Sequence, residues 1–394
     1  MKLGRACIPL DALWFSPFAR WQGPLAGVSS LDLAVDVTTR ALRRAQIDPA
    51  SSFDQIVLGM TIPQETSFYA PPTVAARIGA TGVAGPAIAQ ACATSAACVA
   101  AAASAVDHGD DAVLVVTTDR TSNGPLLLYP RADAPGGAPA SEHWVLDNFK
   151  RDPWAGSSML QTAECVAREA SIGRGAIDDV VALRHAQYAD AEARDAVREA
   201  RVPVDVRAGK KHVALERDHG VRSTPRNELA ALPPAAEGGV VSYAAQTHPA
   251  DGTAGAVVCS ASAAPRFRRG RPLAHVVAYG MARVEAGRMP KAPVAAARRA
   301  LADAGIAFDA LDAVTTHNPF AVNDVYFSRE TGVPLERMNA YGCSLVWGHP
   351  QGPTGLRALA ELALVLEHRG GGVGLFTGCA AGDVGAAVVI RVDG

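Results

Sequence analysis

Two cysteines and one histidine, each set among Gly and Ala, are the residues of this chain best suited to covalent chemistry. Cys92 lies in QACATSAA, His349 lies between Gly348 and Pro350, and Cys379 follows the apolar run VGLFTG. A thiolate is a strong nucleophile, but an unperturbed thiol with a pKa of about 8.5 is mostly protonated at neutral pH. A nearby imidazole can take that proton. These residues therefore predict a two-cysteine active site in which a histidine activates one thiol.

An internal duplication indicates how these residues come together. TRALRRAQI (39–47) aligns with RRALADAGI (298–306), and AVDHGDDAVLVVTTD (105–119) aligns with VLEHRGGGVGLFTGC (365–379) at nearly the same separation. Gly352 is then the partner of Cys92, so pseudo-twofold symmetry would place His349 and Cys92 at related helix starts that face each other. We expect a helix to begin at Cys92, where the helix dipole favours an anion.

Each copy has the pattern of a layered α/β domain. An amphipathic helix, a turn, a strand, a Gly/Ala-rich turn, a helix of small residues and a second strand follow one another. The strands VLVVTT and VGLFTG do not alternate, as expected of strands buried on both faces. Between the copies lies a stretch rich in Pro, Gly and charge, with a helical run from about Met159 to Ala200. The predicted domains are an N-terminal half (1–120 with 244–265), an inserted loop domain (121–243) and a C-terminal half (266–394).

Composition argues against several other classes of protein. A formal net charge of −2 and the lack of a long basic run give no reason to expect nucleic acid or a membrane as partner. The N-terminal apolar run is too short for a secretory signal, and no stretch approaches the roughly twenty apolar residues that span a bilayer. Seven cysteines without a CxxC pair or a His/Cys cluster at metal spacing predict free thiols and no metal site. We expect a cytoplasmic location.

The chain resembles the thiolase superfamily over nearly its whole length. The segments that carry the resemblance are QACATSAA (90–97), SMLQTAECVARE (158–169), PVDVRAGKKHV (203–213), THNPFAVND (316–324), NAYGCSLVWGHPQGPTG (339–355) and FTGCAAGDVG (376–385). The resemblance implies an α/β thiolase fold: two duplicated βαβαβαββ halves in a five-layered αβαβα arrangement, with a loop domain inserted in the first half. It also implies reversible Claisen condensation and CoA-dependent thiolytic cleavage of a 3-oxoacyl-CoA through an acyl-cysteine intermediate.

The resemblance assigns the catalytic roles. Cys92 is the nucleophile, and His349 takes its proton and then donates a hydrogen bond to a thioester oxygen. Cys379 is the acid and base that removes and returns the proton at the α-carbon. His317, as in sterol-carrier-type thiolases, or Asn318 beside it supplies a further hydrogen-bond donor, and the sequence leaves both open.

Coenzyme A and its acyl thioesters are the implied substrates, with no bound cofactor. Arg222 falls on the coenzyme-contacting Arg of the family, and a planar guanidinium suits phosphate oxygens. Met159 matches the residue that the family has at this position, but Ser158 replaces a His that lies near the pantetheine in acetoacetyl-specific members. In the same members a Ser occupies the position of Thr247 and a Gly occupies the position of His248. We assign these five residues to the coenzyme A site.

Further departures from the family pattern surround the expected acyl group. Trp347 is bulky for its place, and we assign it to the substrate pocket together with Phe320, for which packing in the core is the alternative. The backbone N–H groups of Cys92 and Ala381 are assigned to a second oxyanion site. If the backbone at Ala381 needs φ > 0, its Cβ costs about 1 kcal/mol or more. The departures predict an acyl group other than acetoacetyl, branched or aromatic.

Two other functions fit the same sequence. A biosynthetic condensing enzyme of the ketoacyl-synthase kind would share the fold but would not need Cys379 as a base. A non-catalytic acyl-CoA-binding or scaffold subunit that acts with a partner is compatible with the changes at His317 and Ala381. The resemblance also implies a homodimer or homotetramer, and some proteins similar to sterol-carrier-type thiolases work beside a small zinc-ribbon protein.

Overall fold

A computed structural model describes residues 1–394, except for the side chain of Ala208. The helices are α1 (Ser30–Arg44), α2 (Pro49–Ser52), α3 (Ala70–Arg77), α4 (Thr94–Asp107), α5 (Leu146–Lys150), α6 (Met159–Glu169), α7 (Arg174–Ala193), α8 (Arg226–Leu229), α9 (Ala292–Ala304), α10 (Ala321–Thr331), α11 (Ser344–Trp347) and α12 (Pro353–His368). The strands are β1 (Ala6–Pro9), β2 (Leu13–Phe15), β3 (Ala19–Arg20), β4 (Gln55–Gly59), β5 (Ala87–Ile88), β6 (Ala112–Arg120), β7 (Leu126–Tyr129), β8 (Ala140–His143), β9 (Val204–Ala208), β10 (Lys211–Leu215), β11 (Ala250–Ser260), β12 (Leu273–Arg283), β13 (Ala313–His317), β14 (Gly372–Ala380) and β15 (Val384–Val392).

The large sheet contains the same arrangement twice, as β1-β11-β6-β4 and as β12-β15-β14-β13, and the two copies meet where β1 pairs with β12. Its order is β13-β14-β15-β12-β1-β11-β6-β4-β5, and β1 pairs antiparallel with both β11 and β12. β4 lies parallel to β6, and β13 lies parallel to β14 in the corresponding place. β6 and β14 are buried along nearly their whole length, as their unalternating sequences predict.

The helices complete five layers. α4 and α12 pack on each other and contact strands of both halves of the sheet, which makes them the middle layer. α1 covers β11 and β6 on one outer side, and α9 covers β12 and β15 on the other. The many Ala and Ser residues of α4 allow this close packing, and Pro353 suits the start of α12 because its φ is already helical. The predicted αβαβα arrangement is confirmed.

The turn before α4 differs from the expected one, because the helix begins at Thr94 and not at Cys92. Ala91 has a left-handed φ of 45°, and the hydroxyl of Thr94 accepts the N–H of Gln90 at 2.8 Å. The same hydroxyl donates to the carbonyl of Ala91 at 2.7 Å. Because these bonds close a tight turn, the Cys92 thiol lies just ahead of the helix.

The segment between the two halves carries two hairpins and several helices. β7 pairs with β8 and β9 pairs with β10, each antiparallel. The single helical run expected from about Met159 to Ala200 is divided into α6 and α7, and Ser171 between them has a φ of 50°. The proposed domain boundaries stay a prediction. Among the described helices, none combines the length and the apolar character that crossing a membrane would require.

Two buried ion pairs join this segment to the rest of the protein. Arg357 of α12 donates hydrogen bonds to both carboxylate oxygens of Asp218, at 2.7 and 2.8 Å. Arg184 of α7 lies 2.7 Å from Asp324 of α10, and both side chains are almost fully buried. Because a buried charge without its partner is costly, these pairs fix the inserted segment over the face on which the catalytic candidates lie.

Candidate active site

Cys92 and His349 form a direct pair, although 257 residues separate them in the sequence. The Sγ of Cys92 lies 3.0 Å from Nε2 of His349. Nδ1 of His349 lies 2.6 Å from Oγ1 of Thr354 in the first turn of α12, which orients the ring. Because α4 and α12 pack side by side in the middle layer, the turns that precede them bring the thiol and the imidazole together.

Both members of this pair are neutral before substrate binds. Burial raises the pKa of Cys92 to about 12, although the backbone N–H groups of Ala381 and Cys92 act in the opposite direction. Burial, with the neighbouring His317 and His248, lowers the pKa of His349 well below its usual value. A neutral thiol therefore faces a neutral imidazole, which can take the proton during attack. This requires Nδ1–H of His349 to donate to Thr354 and Nε2 to carry the lone pair.

The turn after β14 brings the backbone of Ala381 to the Cys92 thiol, where its N–H acts on the pKa of that group. The left-handed residues of this turn are Gly382, with φ 83°, and Asp383, with φ 61°. Ala381 is not among them, so the expected cost of a Cβ at this position does not arise. The N–H of Gly382 donates to Asp152 of the inserted segment at 3.0 Å, which holds the turn in place.

Cys379 lies at the end of β14 and is buried, with 1% of its surface exposed. Nδ2 of Asn323 donates to its Sγ at 3.3 Å. Burial raises the pKa of Cys379 well above the ordinary thiol value, and ionisation of Cys92 would raise it further, while the Asn323 bond lowers it. Parallel pairing sets His317 of β13 opposite Gly378 and so beside Cys379.

His317, and not Asn318, reaches the pair. Its ring stacks on that of His349 with 4.1 Å between centroids, and its buried Nε2 has no hydrogen-bond partner. Nδ1 of His317 lies 3.0 Å from Oγ of Ser344, and burial lowers the pKa of His317 to about 3. Asn318 instead donates to Asp324 at 2.8 Å. Asn318 therefore belongs to the buried polar network that supports this end of β13.

A cavity of about 680 Å³ opens at Cys92 and His349. All the predicted coenzyme A residues and Phe320 line it. The remaining wall is mainly apolar and includes Phe149, Leu160, Leu232, Met289, Leu345 and Val346.

Several lining residues also have structural bonds. Ser158 caps α6 by accepting the N–H of Gln161, and Oγ1 of Thr247 donates to the carbonyl of Ser344 at 2.6 Å. Arg222 is exposed, so its guanidinium is available to an anion. Nε2 of His248 is buried without a partner, and burial lowers the pKa of His248 to about 4.

Trp347 does not line this cavity. Its indole is 1% exposed, meets Phe18 edge-on at 5.5 Å and covers the guanidinium of Arg357 at 4.3 Å. α11 directs Leu345 and Val346 to the cavity but sends Trp347 into the core, where it shields the buried ion pair. The assignment of Trp347 to the substrate pocket is therefore corrected.

Sequence reasoning overlooked two residues of the site. Oε1 of Gln351 lies 3.4 Å from the Sγ of Cys92, and Gln351 has a left-handed φ of 67°. Its polar side chain directly after Gly348-His349-Pro350 was the available signal. Arg20 also lines the cavity, but it lies far from every motif and no local pattern marks it.

Comparisons with known proteins agree with this geometry. Residues 14–262 match the family model "Thiolase, N-terminal domain", and residues 270–392 match "Thiolase, C-terminal domain". The chain is 29% identical over 379 residues to the acetyl-CoA acetyltransferase of Escherichia coli, covering 94% of this chain and 95% of that protein. It is 26% identical over 426 residues to the 3-ketoacyl-CoA thiolase of Shewanella loihica, covering 96% and 95%.

Solved structures share the fold over the full length. Human mitochondrial 3-ketoacyl-CoA thiolase in complex with CoA superposes with a TM-score of 0.91 at 22% identity, covering 100% of both chains. The acetyl-CoA acetyltransferase of Bacillus anthracis gives a TM-score of 0.91 at 25% identity, covering 99% of both chains.

Proposed function

This chain belongs to the thiolase family, and on that premise we propose that it catalyses the reversible Claisen condensation of acyl-CoAs and the thiolytic cleavage of 3-oxoacyl-CoAs. The observation that carries the proposal is the 3.0 Å contact between Cys92 and His349 on the wall of a large cavity. A site that had lost its activity would have no need to keep a nucleophile and its base in contact beside open space.

In the first half-reaction, Nε2 of His349 takes the thiol proton as Sγ of Cys92 attacks the carbonyl carbon of an acyl-CoA. The tetrahedral oxyanion forms beside the N–H groups of Cys92 and Ala381, which stabilise it. The sulfur of coenzyme A then leaves with the proton from His349. Cys92 is left as a thioester, and the number of protons is conserved.

In the second half-reaction, the thiolate of Cys379, formed by loss of its proton to solvent, removes a proton from the α-carbon of a second acyl-CoA, and the carbanion attacks the Cys92 thioester. The carbon–sulfur bond then breaks, and Cys92 leaves as a thiolate that takes up the proton held by Cys379. Acylation must come first, because only the Cys92 thioester offers the carbonyl carbon that the carbanion attacks. Burial raises the pKa of Cys379 well above the ordinary thiol value, so the thiolate that forms is a strong base.

His317 is the second side-chain donor in this proposal. If Oγ–H of Ser344 donates to Nδ1 of His317, at 3.0 Å, then Nε2 of His317 carries the hydrogen. That N–H is buried and unpaired, so it is free to polarise the thioester oxygen of the second substrate, directly or through a water.

The cavity suits an acyl-CoA with a bulky acyl group. Arg222 and Arg20 supply cations for the phosphates of coenzyme A. The apolar wall that includes Phe149, Met289 and Phe320 favours a branched or aromatic acyl chain, since each buried CH₂ contributes about 0.8 kcal/mol. We propose such a substrate in preference to acetoacetyl-CoA.

Intact-mass spectrometry tests the first half-reaction. The protein is exposed to short, branched and aromatic acyl-CoAs, with Cys92→Ala as the variant and Cys165→Ser as the matched control at another half-buried cysteine. We expect an acyl adduct in wild type and Cys165→Ser that is lost in Cys92→Ala, with the largest yield from a branched or aromatic donor. No adduct from any donor would refute catalysis and favour a partner-dependent binding subunit.

Cys379→Ala tests the second half-reaction. The variant should still acylate Cys92, because Cys379 takes no part in that step, but should lose carbon–carbon bond formation and thiolysis. Normal thiolysis by Cys379→Ala would contradict the assigned role of Cys379 as the acid and base.

We also propose self-association through the edge of the sheet at β5. This two-residue strand ends the sheet, and Phe68 and Tyr69, which lie between β4 and α3, are 88% and 69% exposed. An unpaired sheet edge and exposed aromatic residues are both suited to contact with a second copy. The cytoplasmic location and the small zinc-ribbon partner stay predictions, which fractionation and copurification would test.

A further inference from the structure

We propose that Cys92, His317 and His349 together bind a thiophilic divalent cation such as Zn²⁺, and that the bound ion blocks the nucleophile reversibly. Their ligand atoms all lie within 4.8 Å of one another. The binding itself depends on side-chain geometry and not on the proposed reaction, so the two can be tested separately.

The ligand set matches the chemistry of zinc. Thiolate sulfur and imidazole nitrogen are its preferred donors, whereas Mg²⁺ and Ca²⁺ prefer oxygen. Three protein ligands with one open position are typical of accessible zinc sites. The cavity at Cys92 and His349 supplies both the route of entry and space for a water as the fourth ligand.

The surrounding hydroxyls leave both imidazoles able to bind an ion. Nδ1 of His349 is held by Thr354 at 2.6 Å, and Nδ1 of His317 is held by Ser344 at 3.0 Å. Zinc-binding histidines usually donate the hydrogen of their other nitrogen to such a partner. The Ser344 hydroxyl can rotate from donor to acceptor, which moves the hydrogen of His317 to Nδ1 and frees the lone pair of Nε2.

The unpaired Nε2 of His317 is independent support for a ligand at this place. The side chain is 1% exposed, yet this nitrogen has no partner among the described residues. A buried polar atom without a partner loses its hydration and gains no hydrogen bond in return. A cation held with Cys92 and His349 would satisfy it.

Binding requires the two imidazole rings to rearrange and releases one proton. With bonds of about 2.3 Å to sulfur and 2.0–2.1 Å to nitrogen, a tetrahedral ion would separate sulfur and nitrogen by about 3.5 Å. The Cys92–His349 distance of 3.0 Å must therefore open by roughly half an ångström. The rings of His317 and His349, which stack with 4.1 Å between centroids, must also tilt apart so that both Nε2 lone pairs point at the ion. The thiol of Cys92 gives its proton to solvent as the metal–sulfur bond forms, while both imidazoles bind as neutral ligands.

Co²⁺ serves as the spectroscopic probe, because a cobalt–thiolate bond gives a charge-transfer band in the near ultraviolet. The wild-type protein, Cys92→Ser, His317→Asn and the control Cys165→Ser are titrated with Co²⁺ and then with competing Zn²⁺. We expect the band in wild type and Cys165→Ser, its loss in Cys92→Ser, and a Kd at least about tenfold weaker in His317→Asn. Circular dichroism verifies that each variant is folded.

A second measurement uses the wild-type protein alone. Peptide mass spectrometry after brief iodoacetamide treatment should show that Zn²⁺, but not Mg²⁺, protects Cys92 while labelling of Cys165 is unchanged. Any one of three results would refute the proposed metal site. These are a cobalt band that persists in Cys92→Ser, an unchanged Kd in His317→Asn, and equal labelling of Cys92 with and without Zn²⁺.

Discussion

The buried imidazole of His317 should make the folded protein sensitive to acid. Burial lowers the pKa of His317 to about 3, whereas a histidine in an unfolded chain has a pKa of about 6.5. Between these values the unfolded chain binds a proton that the folded protein does not bind. Stability therefore falls as the pH drops below about 6.5, and the loss is complete only near pH 3.

The size of this effect follows from the two pKa values. Well below pH 6.5, each unit by which the pH falls lowers the free energy of unfolding by about 1.36 kcal/mol per buried neutral histidine. Lowering the pH from 7 to 5 therefore lowers it by about 2 kcal/mol through His317 alone. His317→Asn removes this contribution, because an amide does not titrate in this range. The variant should therefore lose about 2 kcal/mol less than the wild type over the same interval.

Urea unfolding at pH 7 and pH 5 measures the difference directly. Comparing the change with pH within each protein removes any effect of the substitution that is independent of pH. His108→Asn, at an exposed histidine, is the matched control and should keep the wild-type difference. If the wild type and His317→Asn lose the same stability on acidification, then the conclusion that His317 stays neutral in the folded protein is wrong.

Three further predictions concern the nucleophile, the buried ion pair and the turn before His349. Alkylation of Cys92 should accelerate about tenfold per pH unit from pH 7 to 10 without a plateau, because its pKa is raised to about 12; a plateau at neutral pH in stopped-flow alkylation would indicate a preformed thiolate–imidazolium pair. Asp218→Asn should cost about 1–3 kcal/mol in urea unfolding, since it removes the carboxylate that accepts two hydrogen bonds from the buried Arg357 and leaves Glu361 as its remaining anionic partner; a loss below 1 kcal/mol would show that Glu361 alone compensates the charge. Gly348→Ala should cost at least about 1 kcal/mol and lower kcat, because Gly348 has a φ of 88° and a Cβ there would lie 2.7 Å from Nε2 of His248; unchanged kcat and stability would show that the turn can adapt.

The sequence determined the fold and the contact between Cys92 and His349. Unalternating apolar strands, small-residue helices and the internal duplication specify a layered α/β protein, because strand burial and helix packing are set by local residue type and period. The duplication also predicted that Cys92 and His349 face each other, since symmetry-related helices of two similar halves meet at their axis.

Only the tertiary structure decided the details around that pair. No feature of the local sequence shows whether His317 or Asn318 is the donor. In the structure, the end of β13 directs His317 towards His349 and Asn318 towards Asp324. Trp347 lies in a motif of the site, yet its indole packs on Arg357, which is paired with a residue of the inserted segment. The direction of each side chain depends on contacts between segments far apart in the sequence, and residue type and spacing do not encode those contacts.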